Sequence, residues 1–332
     1  MSRISGIHHV AIGVENLEGM KSFYRDVLGF TETFAEFGES EQEIMREVTR
    51  SSRAVFSGAI LCQRAGGILL ELIHMSEPSP RPIRDDFHYG DIGVAKMTLA
   101  VSDVEVAYEA LKGRTGFCSR PRVAAIPGWG DYPFAYCKDP EGNLVELVST
   151  RAAEKGVFEG ACSIGISVTD IERSLCFYRD IVGLEKLVES HAAFSGIVDE
   201  ISGGRASRVR SCLLSAKGGS RMTIELFEVS QPRGRSIPFA ANWGDFGYLQ
   251  VAFSCDDVHG MASEIEAAGT SLLCSPKVMD GGIPDHPGEF VYARDPDGIP
   301  VEFLFLPELP YGVISYAQDW PRIFIDFFVS LK

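Results

Sequence analysis

Three stretches of this chain occur twice, in register. Phe23-Tyr24-Arg25-Asp26-Val27-Leu28-Gly29-Phe30 returns as Phe177-Tyr178-Arg179-Asp180-Ile181-Val182-Gly183-Leu184, 154 residues on. Tyr89-Gly90-Asp91-Ile92-Gly93 returns as Trp243-Gly244-Asp245-Phe246-Gly247 at the same spacing. Asp139-Pro140-Glu141-Gly142-Asn143-Leu144-Val145-Glu146 returns as Asp295-Pro296-Asp297-Gly298-Ile299-Pro300-Val301-Glu302 at a spacing of 156. Separate matches that keep one spacing indicate a duplicated domain. Whatever one copy folds into, the chain must build twice. The join falls near 150–156, which gives expected domains at 1–152 and 153–306 and a tail at 307–332.

Each copy divides again. Residues 7–14 alternate as a strand. A helix is expected over 17–28, with Leu17, Met20, Phe23, Tyr24, Val27 and Leu28 on one face. Asn16 is its expected N-cap, Asp170 is the counterpart in the second copy, and Gly29 is the expected stop. Strands follow, ending at 68–73. The second half repeats the order, with a strand at 96–101, a helix at 104–111 and strands to 144–148. Each half therefore reads β-α-β-β-β, and the chain holds four such units, near 5–75, 92–150, 157–230 and 246–306. The class is α+β. The tail carries Trp320-Pro321-Arg322-Ile323-Phe324-Ile325-Asp326-Phe327-Phe328 and is expected to be a helix packed on a domain or subunit surface, a candidate contact for a homodimer.

Charge narrows the partners. A formal net charge of −15 argues against nucleic acid and anionic membranes, which attract basic faces. No apolar run reaches the ~18 residues of a membrane span, and Met-Ser-Arg-Ile-Ser-Gly is no signal peptide. None of the eight cysteines forms a C-x-x-C pair, and most sit in apolar runs as reduced core thiols. A cytoplasmic protein with a small-molecule ligand is the expectation.

The chemistry concentrates at two strand positions. In Ile68-Leu69-Leu70-Glu71-Leu72-Ile73, alternation puts Glu71 on the face of Leu69 and Ile73. A carboxylate among apolar neighbours is costly unless it is paired, protonated or bound to a cation. The same placement recurs at Glu146, Glu225 and Glu302. One such residue would be an edge carboxylate reaching water; four at equivalent places point to shared cavities. The first strand of each unit offers a partner: His9, Lys96, Ser163 and Gln250 share one register. His88 and Tyr89, with Asn242 and Trp243 at the matching places, are expected at cavity mouths. The loops at 128–132 and 281–288 could shape a pocket or simply be turns. No P-loop, dinucleotide fingerprint or nucleophile elbow appears.

On these residues the chain resembles the vicinal oxygen chelate superfamily, which includes glyoxalase I, methylmalonyl-CoA epimerase, extradiol dioxygenases, fosfomycin-modifying enzymes and bleomycin-binding proteins. The carriers are Ile7-His8-His9-Val10-Ala11-Ile12-Gly13-Val14, the Phe-Tyr-Arg-Asp-Val-Leu-Gly-Phe helix end and the Asp-Pro-Glu-Gly-Asn-Leu-Val-Glu-Leu turn at 139–147. The resemblance implies paired βαβββ units whose sheets curve into two barrels, with metal ligands drawn from the first-strand and last-strand positions. Two pairings are open. Sequential pairing, the simpler topology, groups His9, Glu71, Lys96 and Glu146, and separately Ser163, Glu225, Gln250 and Glu302. Pairing unit one with four groups His9, Glu71, Gln250 and Glu302, which resembles the ligand set of glyoxalase I. It leaves Lys96, Glu146, Ser163 and Glu225 in a metal-free cavity. One divalent ion, Zn, Ni, Co, Mn or Fe, is implied for the complete set.

The implied activity is that of a metal-dependent isomerase, epimerase or lyase on a small carbonyl or enolisable substrate. The alternatives are a metal-free enzyme using Lys96 and the carboxylates, Glu146 foremost, or a metal-free binding protein that encloses an apolar or aromatic ligand with Lys96 and the glutamates as polar anchors; Ser163, Glu225, His88, Tyr89 and Trp243 are the expected substrate contacts. Neither grouping supplies the two first-strand histidines and last-strand glutamate expected of an extradiol dioxygenase.

Overall fold

The computed structural model describes residues 3–84, 87–126, 130–149, 158–190, 201, 208–216, 222–230, 233–279 and 288–306. The expected tail at 307–332 and most of the loop at 281–288 lie outside them. The expected caps are present. Asn16 Oδ1 accepts from the Gly19 N–H at 2.9 Å at the start of the helix Leu17–Asp26, and Asp170 Oδ1 accepts from Arg173 at 3.1 Å. Gly29 and its counterpart Gly183 follow their helices at φ +77° and +87°, a left-handed turn that a side chain would strain. Among the described residues no helix is long and apolar enough to cross a membrane.

The strands form two curled sheets, and each draws on both sequence copies. The eight-stranded sheet runs Lys277–Val278, Glu289–Arg294, Pro300–Phe305, Gly247–Cys255, Ile4–Gly13, Leu69–Glu77, Val55–Cys62, Glu32–Glu41. It joins unit one to unit four. The nine-stranded sheet runs Glu185–Ser190, Val209–Ser215, Thr223–Val229, Phe158–Ser167, Gly93–Val101, Leu144–Ser149, Gly130–Lys138, Gly116–Phe117, with Arg122–Ile126 paired to Gly130–Lys138. It joins unit three to unit two. Within each unit the first strand pairs in parallel with the last, while first strands of partner units pair antiparallel. The simpler sequential pairing is thus not adopted. The sheet seams are antiparallel contacts between Ile4–Gly13 and Gly247–Cys255, and between Phe158–Ser167 and Gly93–Val101.

The repeated motifs account for how the copies hold together. The Asp of each Asp-Pro turn accepts a hydroxyl from the Tyr of the Phe-Tyr-Arg-Asp helix in its own copy, Tyr24 to Asp139 at 2.9 Å and Tyr178 to Asp295 at 3.1 Å. These bonds tie unit one to unit two and unit three to unit four. The Gly-Asp motif does the opposite job. Asp91 is gripped by the Arg235 guanidinium at 2.6 Å, and Asp245 by Arg81 at 3.3 Å, so each copy reaches into the other.

Burial pushes Asp139 up to about 6, and its pKa is held back by hydrogen bonds from Asn143 and Tyr24. Tyr24→Phe removes one of those donors and leaves a buried carboxyl short of a partner. It is expected to lower stability by about 1–3 kcal/mol, measured by urea unfolding. A loss well under ~0.5 kcal/mol would show that the turn holds without it.

Candidate metal centre and its twin

Four adjacent strands at the middle of the eight-stranded sheet each contribute one polar residue to one face. Cross-strand register sets the positions. Ala11 lies opposite Gln250 on one side and Glu71 on the other, and Ala252 lies between His9 and Glu302. Residues paired across strands point the same way, and His9 and Ala11 share a face by alternation. The result is a cup with a floor of two small alanines and four polar side chains at its corners. His9 Nε2 sits 3.1 Å from Glu71 Oε2 and 3.2 Å from Glu302 Oε2. Gln250 Nε2 donates to Glu302 Oε2 at 3.0 Å and lies 3.1 Å from His9 Nε2.

Burial alone would push the His9 imidazole down. The flanking carboxylates of Glu71 and Glu302 outweigh it and hold its pKa at about 10. The cup is therefore closed around a cation of its own, the His9 imidazolium. No group of three or more His, Cys, Asp or Glu among the described residues stands disposed to hold a metal ion as it is. The donor chemistry nonetheless suits one: an imidazole nitrogen and two carboxylates are common ligands of divalent transition metals. His9 would have to give up its proton to bind. Gln250 fits less directly, because its Oε1 accepts the Trp243 indole N–H at 2.6 Å. The amide would have to turn and release Trp243 before its oxygen faced the centre.

Two residues of this site escape a reading by alternation. The strand Ile4–Gly13 is bulged between Ile7 and His9, and a bulge turns an extra side chain toward its neighbour's face. His8 Nδ1 consequently meets His9 Nδ1 at 2.8 Å. Burial, then the charge on His9, push His8 down to about 3, so it is neutral and accepts from His9. That bond leaves Nε2 as the His9 nitrogen facing the carboxylates, the role usually filled by an outer carboxylate or carbonyl beside a metal-bound histidine. Trp243, expected at a cavity mouth, is buried, holds Gln250 and meets Phe56 edge to face at 5.0 Å. No spacing rule signals either contact; both need the bulge and the sheet seam.

The twin cup in the nine-stranded sheet has the same registers. Gly165 lies between Lys96 and Glu225, and Thr98 between Ser163 and Glu146. Lys96 Nζ lies 2.7 Å from Glu146 Oε2 and 2.8 Å from Glu225 Oε2. The Tyr136 hydroxyl is 3.2 Å from Nζ, and Thr98 Oγ1 donates to Glu146 Oε2 at 2.7 Å. Ser163 Oγ accepts from Thr223 at 2.8 Å. Lys96 is 2% exposed. Burial alone would lower its pKa, but Glu146 and Glu225 raise it well above the usual lysine value. The two carboxylates thus favour its charged form. Tyr89 stacks on Phe227 at 4.8 Å beside this cup. His88 contributes its backbone N–H to Asp91 at 2.9 Å, a turn contact rather than a cup contact.

The sites expected from sequence thus fall into two groups, His9, Glu71, Gln250 and Glu302 in one cup and Lys96, Glu146, Ser163 and Glu225 in the other. Neither holds the two-histidine set of ring-cleaving dioxygenases. Comparison with known proteins agrees on the fold. The Glyoxalase/Bleomycin resistance protein/Dioxygenase superfamily model matches residues 6–147 and 162–303. The Escherichia coli (strain K12) protein YaeR is 26% identical over 147 residues, 44% of this chain and 98% of its own length. A probable chloroplastic lactoylglutathione lyase of Arabidopsis thaliana is 24% identical over 234 residues, 67% of this chain but 59% of that protein. Glyoxalase I from Zea mays superposes with a TM-score of 0.61 at 18% identity, covering 92% of each chain. A putative dioxygenase from Bacillus subtilis subsp. subtilis str. 168 superposes at 0.58 with 13% identity, covering 93% of this chain and 87% of that one. At such identities the likeness is one of fold.

Proposed function

This chain belongs to the Glyoxalase/Bleomycin resistance protein/Dioxygenase superfamily, and we propose that it is a metal-dependent isomerase, epimerase or lyase acting on a small carbonyl or enolisable substrate at the His9 cup. The observation that carries this reading is the convergence of one imidazole and two carboxylates, each from a different strand, on one buried point. His9, Glu71 and Glu302 would hold a divalent ion, Zn(II), Ni(II), Co(II), Mn(II) or Fe(II), with Gln250 joining only if it releases Trp243. When bound, the ion supplies a Lewis acid for a substrate carbonyl or enolate oxygen.

The chain's own groups divide the remaining work. Glu302 is held by the Gln250 amide as well as by His9, and its side chain is 9% exposed. Glu71 pairs with His9 and is 13% exposed. Glu71, the carboxylate held by fewer partners, is the one assigned to take and return an α-proton. His8 keeps the His9 ring turned to the centre, and Trp243 keeps the Gln250 N–H on Glu302.

Deuterium exchange tests the reaction class. Protein purified without chelator and loaded with Mn(II) or Zn(II) is incubated in heavy water with enolisable substrates, lactoylglutathione among them. Deuterium should enter at the α-carbon, and the exchange should stop on chelation and in Glu71→Gln. Metal binding without exchange on any α-hydroxy or α-keto compound would refute the catalytic reading.

A second reading, a metal-free small-molecule binder, draws on the pairing of the His9 imidazole with Glu71 and Glu302. Proton release separates the two. Because His9 holds a proton to about pH 10 in the metal-free protein, uptake of one ion at pH 7 should release about one proton. Calorimetry in buffers of different ionisation enthalpy measures it. No ion bound and no proton released would favour the binder.

The same shift fixes the pH dependence of metal-free stability. His9 is raised above its ordinary 6.5, so its contribution is complete below about 6.5 and is lost as pH rises through about 10. The melting temperature of the metal-free protein should fall between pH 7 and pH 10, and His9→Gln should flatten that fall.

A further inference from the structure

The twin cup keeps both carboxylates of the first, Glu225 at the place of Glu71 and Glu146 at the place of Glu302, in the same sheet registers. It differs at the other two corners, with Ser163 for His9 and Lys96 for Gln250. The Lys96 ammonium lies within 2.8 Å of both carboxylates and is almost wholly buried. A third difference lies in the floor. Opposite Gln250 the floor residue is Ala11; opposite Lys96 it is Gly165. A Cβ at Gly165 would stand 2.6 Å from Lys96 Cγ and 2.7 Å from Cε, well inside contact distance. Gly165 is not one of the chain's positive-φ glycines, so the missing methyl is explained by the lysine stem rather than by the turn of the chain. The hydroxyls of Thr98 and Tyr136 complete the seat.

We propose that Lys96 is a built-in cation that occupies the second cup in place of a divalent ion, and that Gly165 is the residue that makes room for it. The cup is a cation site whose cation belongs to the chain. It therefore binds no metal, and of the two cups only the His9 cup is left to take one. Restoring the corner residues of the first cup should convert the second into a divalent-ion site built from Glu146, Glu225 and the two introduced side chains. The proposal rests on the metal reading of the His9 cup for its analogy, but its outcome can be read independently.

Metal content after loading with Mn(II) or Zn(II) and desalting is compared between the parent and Lys96→Gln/Ser163→His. An increase of one ion per chain is expected, whether the parent itself holds one or none. The parent's own count judges the His9 cup, and the increment judges the second cup. An unchanged count overturns the proposal. If the double variant does not fold, Gly165→Ala decides alone. It should lower the melting temperature by several degrees in the parent and cost little beside Lys96→Gln, the pairing that the first cup already holds as Ala11 opposite Gln250. An equal loss in both backgrounds would also overturn it.

Discussion

Replacing Lys96 with alanine is expected to destabilise the protein by about 3–5 kcal/mol, the range seen when one partner of a buried ion pair is removed. The size follows from what remains. Glu146 is 2% exposed and Glu225 keeps only 17% of its side chain in contact with solvent, so two like charges would face each other with little water to separate them. Loss of the lysine stem adds an apolar void over Gly165. Exposed pairs such as Arg25 with Asp26, about half open to solvent on each side, contribute only about 0–1 kcal/mol and set the contrast. Urea unfolding of Lys96→Ala beside Arg25→Ala measures both. A loss below ~1 kcal/mol for Lys96→Ala would mean that the carboxylates relax or protonate without penalty, and that the ion pair is incidental to the fold.

The second large effect is expected at Glu302. In Glu302→Ala the first cup loses a carboxylate that His9 and Gln250 both address. On the metal reading this removes a direct ligand. Ion affinity should then drop by more than the roughly 10–100-fold that follows loss of an outer-shell partner, and α-proton exchange should fall with it. His8→Ala provides that outer-shell comparison in the same protein, because His8 bonds the His9 nitrogen that faces away from the carboxylates. Calorimetric titration with Zn(II) or Mn(II) ranks the two. If Glu302→Ala binds as tightly as the parent, the cup is not a metal centre. If His8→Ala is the worse of the pair, the imidazole contact matters more than the carboxylate and the assignment of ligands is wrong.

Much of the molecule could be read from residue order because the relevant physics is local. Alternation placed Glu71, Glu146, Glu225 and Glu302 on the faces where the strands carry them. The cap at Asn16 and the glycine stop at residue 29 depend on a few neighbouring dihedrals, and both are present. Repetition of three motifs revealed two copies, and the recurring strand and helix order split them into four units in which His9, Lys96, Ser163 and Gln250 are equivalent.

Other features depended on contacts between distant residues. Local alternation says nothing about the bulge that turns His8 onto His9, since a bulge arises from the mismatch of two paired strands. It gives no sign that Trp243 would point inward to Gln250, because that bond exists only once unit four is seated against unit one. The partners of Lys96 could not be read from residue order either; its place between Glu146 and Glu225 follows from the pairing of unit two with unit three.

Sequence by itself determined that this chain is a duplicated α+β protein of four βαβββ units with polar residues at matching strand positions. Only the tertiary structure decided which units share a sheet, and hence that His9 meets Gln250 and Glu302 rather than Lys96 and Glu146. The physical reason is that each first strand pairs equally well by backbone hydrogen bonds with any antiparallel partner. The choice is made by contacts more than a hundred residues apart, such as Arg81 with Asp245 and Arg235 with Asp91, which cross between the two copies.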